Sequence, residues 1–219
     1  MKLYLSSYRM GDHFSELQEM AEPQARVAVI SNALDYISIE KRLEYSLTHF
    51  DWCDFFNSNG FEAEELDLRK YFGSPDSLSE VIKTFQVVWV VGGNAFLLLR
   101  AVHASGLNQC LAPLVRSDQI VYGGFSAGAV VAAENLRGIE LMDDPTAIVD
   151  GYPATKQPWD GLGLVDFLIV PHFQSEHEEA PAAEKAANYM AANKIKHQTL
   201  RDGEVIIVRG QKMEIRPAV

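Results

Sequence analysis

The chain has 219 residues, 47% of them hydrophobic, with a formal net charge of -11 and an isoelectric point near 5.0. Surplus acid without a basic run argues against nucleic acid or an anionic membrane as partner. No apolar stretch reaches the length of a membrane span, and Met1-Lys2-Leu3-Tyr4-Leu5-Ser6-Ser7 turns polar too soon for a signal peptide. Only Cys53 and Cys110 are present, without CxxC spacing, which suits a reducing cytoplasm. The length supports one well-buried domain over residues 1–219.

Taken in order, residues 3–6 read as a strand and residues 26–30 as a second, apolar enough for burial on both faces. Ile37, Ile39, Leu43, Leu47 and Phe50 mark a helix over 36–57, with Asp35 as its cap. A third strand falls around 64–68, in an acidic run. Ser77-Leu78-Ser79-Glu80 fits a capping box opening a helix to about Phe85. Residues 87–91 are the clearest buried strand. It ends at Gly92-Gly93-Asn94, and a helix over 95–104 follows. A further helix spans 109–116, before the strand 120–122.

Next comes Gly124-Phe125-Ser126-Ala127-Gly128, then a small-residue run to Ala133 that favours a helix. This is G-x-S-x-G between strand and helix, the pattern of a nucleophile elbow. Such a turn forces the serine into a strained backbone conformation and lifts its hydroxyl above the sheet edge. The helix N-terminus then faces a developing oxyanion. The plainer alternative is a helix N-cap after a glycine turn. Residues 142–163, with Asp143-Asp144-Pro145, Gly151, Pro153, Pro158 and Gly161, read as a long loop, of a kind more often functional than idle. A strand over 167–170, expected parallel and adjacent or nearly so to those over 87–91 and 120–122, ends at Pro171-His172. A helix over 182–193 and short strands over 198–215, turning at 209–212, complete the chain.

The alternation predicts an α/β domain with a mostly parallel sheet and helices on both faces, three layers in all. Gly92-Gly93-Asn94, Ser126 and His172 all follow strands and so share one sheet edge. A nucleophilic serine needs a base, an orienter for it and an oxyanion hole. His172, 46 residues after Ser126, is the candidate base and His177 the runner-up. His13, His49, His103 and His197 sit in helical or surface-like contexts. Asp143 and Asp144 are the candidate orienters, with Glu140 or Glu176 next, though Asp144-Pro145 also reads as a turn start. The N–H groups of Gly93 and Ala127 are the candidate oxyanion donors, and Gly92 and Asn94 the candidate substrate contacts. Gly92-Gly93-Asn94 lacks the Lys-Ser/Thr of a P-loop and the spacing of a dinucleotide fingerprint, so no cofactor is expected. His172, His177, Glu176 and Glu178 have poor helical ligand spacing, so no metal is expected either.

The elbow, Val90-Val91-Gly92-Gly93-Asn94-Ala95-Phe96 upstream and Val170-Pro171-His172-Phe173 downstream together resemble the dipeptidase E family of serine peptidases, whose relatives include cyanophycinases. Leu3-Tyr4-Leu5-Ser6-Ser7 resembles its first strand, and the resemblance fades beyond His172. It implies a class I glutamine amidotransferase-like, flavodoxin-like fold and a small peptide as substrate; the expected assembly, a monomer or homodimer, does not come from it. It also implies Ser126 as nucleophile, His172 as base, and Gly93 with Ala127 as oxyanion hole. The family's acid follows the elbow helix in an Asp-x-Pro context, which ranks Asp143 above Asp144. An α/β-hydrolase shares the order Ser, acid, His, but its histidine lies near the C-terminus, whereas 47 residues follow His172 here. A binding domain with an inactive elbow is the non-enzymatic alternative. Aspartyl dipeptidases of this family resemble one another in an arginine-containing segment after the histidine. Here that run, residues 173–185, holds no arginine but Glu176, Glu178 and Glu179. Val130 also stands where those enzymes tend to be polar. The expectation is a peptidase not strict for Asp-Xaa, unless an arginine such as Arg9 or Arg137 reaches the site.

Overall fold

The computed structural model describes residues 1–48 and 50–219; His49, set aside in the sequence reading, lies outside the described residues. Five parallel strands form the centre of the molecule: β1 (Lys2–Ser6), β2 (Arg26–Ile30), β3 (Glu62–Glu65), β4 (Val87–Val90) and β5 (Val121–Phe125). They lie in the order β3-β2-β4-β5-β1, extended by the antiparallel hairpin β8 (Val205–Arg209) and β9 (Lys212–Arg216) on the β1 side. The inner strands are runs of β-formers buried on both faces, as a helix-covered parallel sheet requires. β3, with three exposed glutamates in four residues, takes the edge, where charge discourages further pairing.

Registry carries the fold towards the site. Val90 and Leu5 both pair with Gly124, and Ser6 pairs with Phe125. The loops leaving β4 and β1 therefore flank the turn leaving β5, at the carboxyl edge where ligands of open α/β sheets bind. Two apolar clusters cover the faces. One packs α5 (Ala95–Ser105), in which Ala95 to Val102 are all buried, with α4 (Pro75–Ile82) and α6 (Leu107–Arg116). The other surrounds Trp89 and Tyr4, beneath α1 (Phe14–Met20) and α3 (Trp52–Ser58). Each buried Leu or Phe contributes roughly 1.5–3 kcal/mol.

Several expectations are corrected. The helix over 36–57 divides into α2 (Ile39–Thr48) and α3, because Asp51 caps α3 by accepting from the Asp54 N–H at 2.9 Å. Asp35 lies four residues before α2 and does not cap it; it is buried and held by Arg42 at 3.2 Å and the Tyr152 hydroxyl at 2.6 Å. Helix α4 starts two residues before the proposed capping box, since Pro75 is preset for a first turn. The strand expected over 167–170 is β6 (Leu168–Val170). It does not join β4 and β5 but pairs in parallel with β7 (His197–Thr199) as a separate two-stranded sheet. The helix after the elbow, α7, covers only Ala127–Val130. It stops because the N–H groups of Leu162, Gly163 and Leu164 take the carbonyls of Val131, Ala133 and Ala132.

Candidate active site

The elbow has the strain expected of it. Ser126 sits at φ 46° and ψ -118°, a conformation that costs an L-residue on the order of 1–3 kcal/mol. Surrounding contacts hold it there: its N–H donates to the Ser6 and Ser7 carbonyls at 3.2 and 3.1 Å. Gly128 is obligatory, since a Cβ would stand 2.1 Å from the Val90 carbonyl oxygen where α7 crosses β4.

His172 is 1% exposed. Its Nδ1 lies 2.8 Å from Asp202 Oδ1. The Ser7 hydroxyl donates to that same oxygen at 2.7 Å and accepts the His172 N–H at 2.7 Å. An ionised carboxylate only accepts, so Nδ1 carries the proton and Nε2 presents its lone pair. Burial alone would raise the Asp202 carboxyl, but the bonds from His172 and Ser7 outweigh it and hold the group below the usual carboxylate range. The small sheet creates this pairing. Val170 pairs with Thr199, and the ladder continues as Leu200 donates to Val170 and Phe173 to Leu200. The exits of β6 and β7 thus run side by side and bring His172 to Asp202.

Asp202 is not among the candidates that the sequence offers, and the candidate orienters bond elsewhere. Asp143 Oδ2 accepts the Ala95 N–H at 2.8 Å, at the open N-terminus of α5. Burial raises its pKa to about 7, Glu179 adds to the rise, and the Ala95 bond and His172 oppose it. Asp144 is exposed and accepts the Thr146 N–H and hydroxyl at 2.8 and 2.7 Å, the turn role considered for it. Glu140 accepts the Gly138 N–H at 2.6 Å. Asn94 is a helix cap, accepting from Leu97 at 2.8 Å and donating to the Asp144 carbonyl at 3.2 Å. It does not line the cleft.

Gly92, Gly93, Ser126, His172 and His177 line one cleft of about 790 Å³. Gly93 stands at φ 136°, with the Ala33 carbonyl 2.5 Å from where a Cβ would be, so only glycine fits. Among the described residues, the N–H groups of Gly93 and Ala127 have no hydrogen-bond partner. Nor does a hydrogen bond join Ser126 Oγ to His172, a contact that in substrate-free sites often tightens only on binding. Tyr8 packs edge-on to Phe125 and His172, its ring 6.4 Å and 6.0 Å from theirs. His177 stacks on His172 with centroids 3.8 Å apart. Arg9 also lines the cleft, over the rings of Tyr8 and Phe50, and Arg137 does not. Loop 142–163 stays out of the cleft. Arg100 ties it to α5 through the Ala147 and Thr155 carbonyls, and Tyr152 anchors it on Asp35.

Comparison with known proteins identifies the family and the fold. Residues 41–216 match the profile of peptidase family S51. A peptidase E from Streptomyces coelicolor is 31% identical over 67% of this chain and 58% of its own length. A probable alpha-aspartyl dipeptidase from Drosophila melanogaster is 30% identical over 70% of this chain and 60% of its own. A crystal structure of a Listeria monocytogenes protein, 22% identical, superposes with a TM-score of 0.76 over 100% of this chain and 98% of that one, and so shares the α/β fold.

Proposed function

The chain belongs to peptidase family S51, and from that premise we propose that it hydrolyses dipeptides or short peptides through a Ser126-His172-Asp202 triad. Family membership displaces the α/β-hydrolase alternative. The observation that carries the triad is the His172–Asp202 bond of 2.8 Å in a cleft that also holds Ser126. With Nδ1–H fixed on Asp202, the His172 Nε2 takes the Ser126 proton as Oγ adds to the peptide carbonyl. The free N–H groups of Gly93 and Ala127 supply the oxyanion hole. His172 then passes the proton to the departing amine as the C–N bond breaks and the Ser126 ester forms. Water, deprotonated by the same nitrogen, hydrolyses the ester and restores Ser126. Asp202 stabilises the imidazolium in both halves.

Specificity follows from the charges in the cleft. Arg42 is paired with Asp35 and Arg69 with Asp67. Arg9 rests on aromatic rings, and no carboxylate among the described residues pairs with it. A free cation suits the terminal carboxylate of a short peptide. Beside His172 the cleft carries Glu178 and Glu179, which disfavour an acidic side chain there, so strict selectivity for Asp-Xaa is not expected. The test is a fluorophosphonate probe together with a dipeptide library. The wild type should label and cleave, and Ser126→Ala should do neither, losing on the order of 10³-fold or more in kcat. Unchanged labelling or turnover in Ser126→Ala would remove Ser126 as the nucleophile.

A further inference from the structure

The lone pair of His172 Nε2 has a second possible occupant. That nitrogen lies 3.8 Å from a Glu179 carboxylate oxygen. One donor atom from each of His172, His177 and Glu179 falls within 4.8 Å of the other two. We propose that these three residues form a transition-metal site, suited to Zn²⁺, whose occupation inhibits the peptidase. The inhibitory half rests on His172 being the general base; the binding half does not.

Two imidazoles and a carboxylate are a donor set for zinc, and a poor one for Mg²⁺ or Ca²⁺, which require oxygen. His172 is already prepared as a ligand. Its far nitrogen donates to a carboxylate, the arrangement that fixes tautomer and ring orientation in histidine–metal sites. Zinc bonds of about 2.0–2.2 Å set tetrahedral donors roughly 3.3 Å apart, so the 3.8 Å pair needs to close by about half an ångström. His177 and Glu179 supply the movement. Both are partly exposed and lie in the turn before α8 (Ala180–Ala192), while His172 is buried and held by Asp202 and Ser7. The two rings are nearly parallel, at 11°, so binding turns His177 out of the stack for its lone pair to converge with that of His172. Helical spacing, which argues against a metal in the sequence, does not apply, because the helix begins only at Ala180. Glu178 adds negative charge to the same side of the cleft. One lone pair cannot accept the Ser126 proton and hold a metal at once, so zinc and turnover exclude each other.

Isothermal titration of ZnCl₂ into metal-stripped Ser126→Ala protein reads binding without reference to activity. One equivalent should bind with a Kd of roughly 10 µM or tighter, and adding His177→Ala or Glu179→Gln should each weaken it at least tenfold. In parallel, ZnCl₂ should inhibit wild-type dipeptide hydrolysis, EDTA should restore it, and His177→Ala should raise the half-inhibitory zinc concentration at least tenfold. No binding at roughly 100 µM zinc, or affinity unchanged in both double variants, overturns the site. Ligand-dependent binding that leaves hydrolysis untouched overturns the inhibition and removes His172 as the base. Failure of the triad reading alone would appear as zinc binding intact in a protein whose Ser126→Ala variant still turns over.

Discussion

Asp202→Asn separates what orients His172 from what charges it. Both hydrogen bonds to the carboxylate, from His172 Nδ1 and from the Ser7 hydroxyl, end on Oδ1. An asparagine can keep its carbonyl oxygen there, because both neighbours are donors and its amide nitrogen would meet two N–H or O–H groups if reversed. The tautomer of His172 therefore survives, and the loss is that of a negative charge facing the imidazolium in the transition state. Unit charges about 4 Å apart at an effective dielectric near 20 attract by about 4 kcal/mol. The Asp202 side chain is 24% exposed, so solvent screening leaves about 2–3 kcal/mol of this, or roughly 30- to 150-fold in kcat. Asp202→Ala removes the acceptor as well and should cost on the order of 10³-fold or more. The measurement is kcat and KM for Ala-Leu hydrolysis, with circular dichroism to confirm folding. An Asp202→Asn rate within threefold of wild type, or a larger loss from Asp143→Asn, would refute Asp202 as the orienter.

Asp143→Asn should act on stability instead. Its pKa is raised on folding, to about 7, so the folded state holds the extra proton and wild-type stability falls as pH rises from about 4 to about 7. The neutral variant should be more stable at pH 8 by roughly 2–4 kcal/mol, with little difference near pH 4, in thermal denaturation at both values; a variant less stable than wild type at pH 8 would contradict this. Hydrolysis should persist in excess EDTA, since no step of the triad chemistry uses a metal, and loss of activity on chelation would require another mechanism. Among Asp-Leu, Ala-Leu and Lys-Leu, kcat/KM should not favour Asp-Leu by more than about tenfold, or roughly 1.4 kcal/mol. Arg9→Ala should raise KM for all three, and an effect confined to Asp-Leu would make Arg9 a side-chain selector instead.

What was legible in the sequence was local. The elbow is written in five consecutive residues, and the strain at Ser126 and the close crossing at Gly128 require those residue types. His172 was legible because it follows an apolar strand. The carboxylate bonded to it was not, because strand pairing decides which one that is. Asp143 and Asp144 stand between serine and histidine in the chain, but their segment docks on the N-terminus of α5. Asp202 lies 30 residues beyond His172, just past β7, and only the pairing of β6 with β7 makes the two neighbours. A signal for it did exist: Leu200-Arg201-Asp202 places a carboxylate just after a strand, as Pro171-His172 places an imidazole. The divided helix over 36–57 hid for a similar reason, since Asp51 caps α3 inside an unbroken apolar pattern.

Ser7 shows why element prediction and site prediction part company. As a residue it is a serine at the end of an apolar strand, in a run that resembles the family's first strand but gives the hydroxyl no role. In the fold its carbonyl accepts the Ser126 N–H, its hydroxyl accepts the His172 N–H, and the same hydroxyl donates to Asp202. It reaches all three because β1 lies between β5, which carries the serine, and β8, which follows directly on Asp202. The order β5-β1-β8 is non-sequential, and no periodicity within any one segment encodes it. The geometry of the site therefore depends on where β1 enters the sheet, a property of the whole chain.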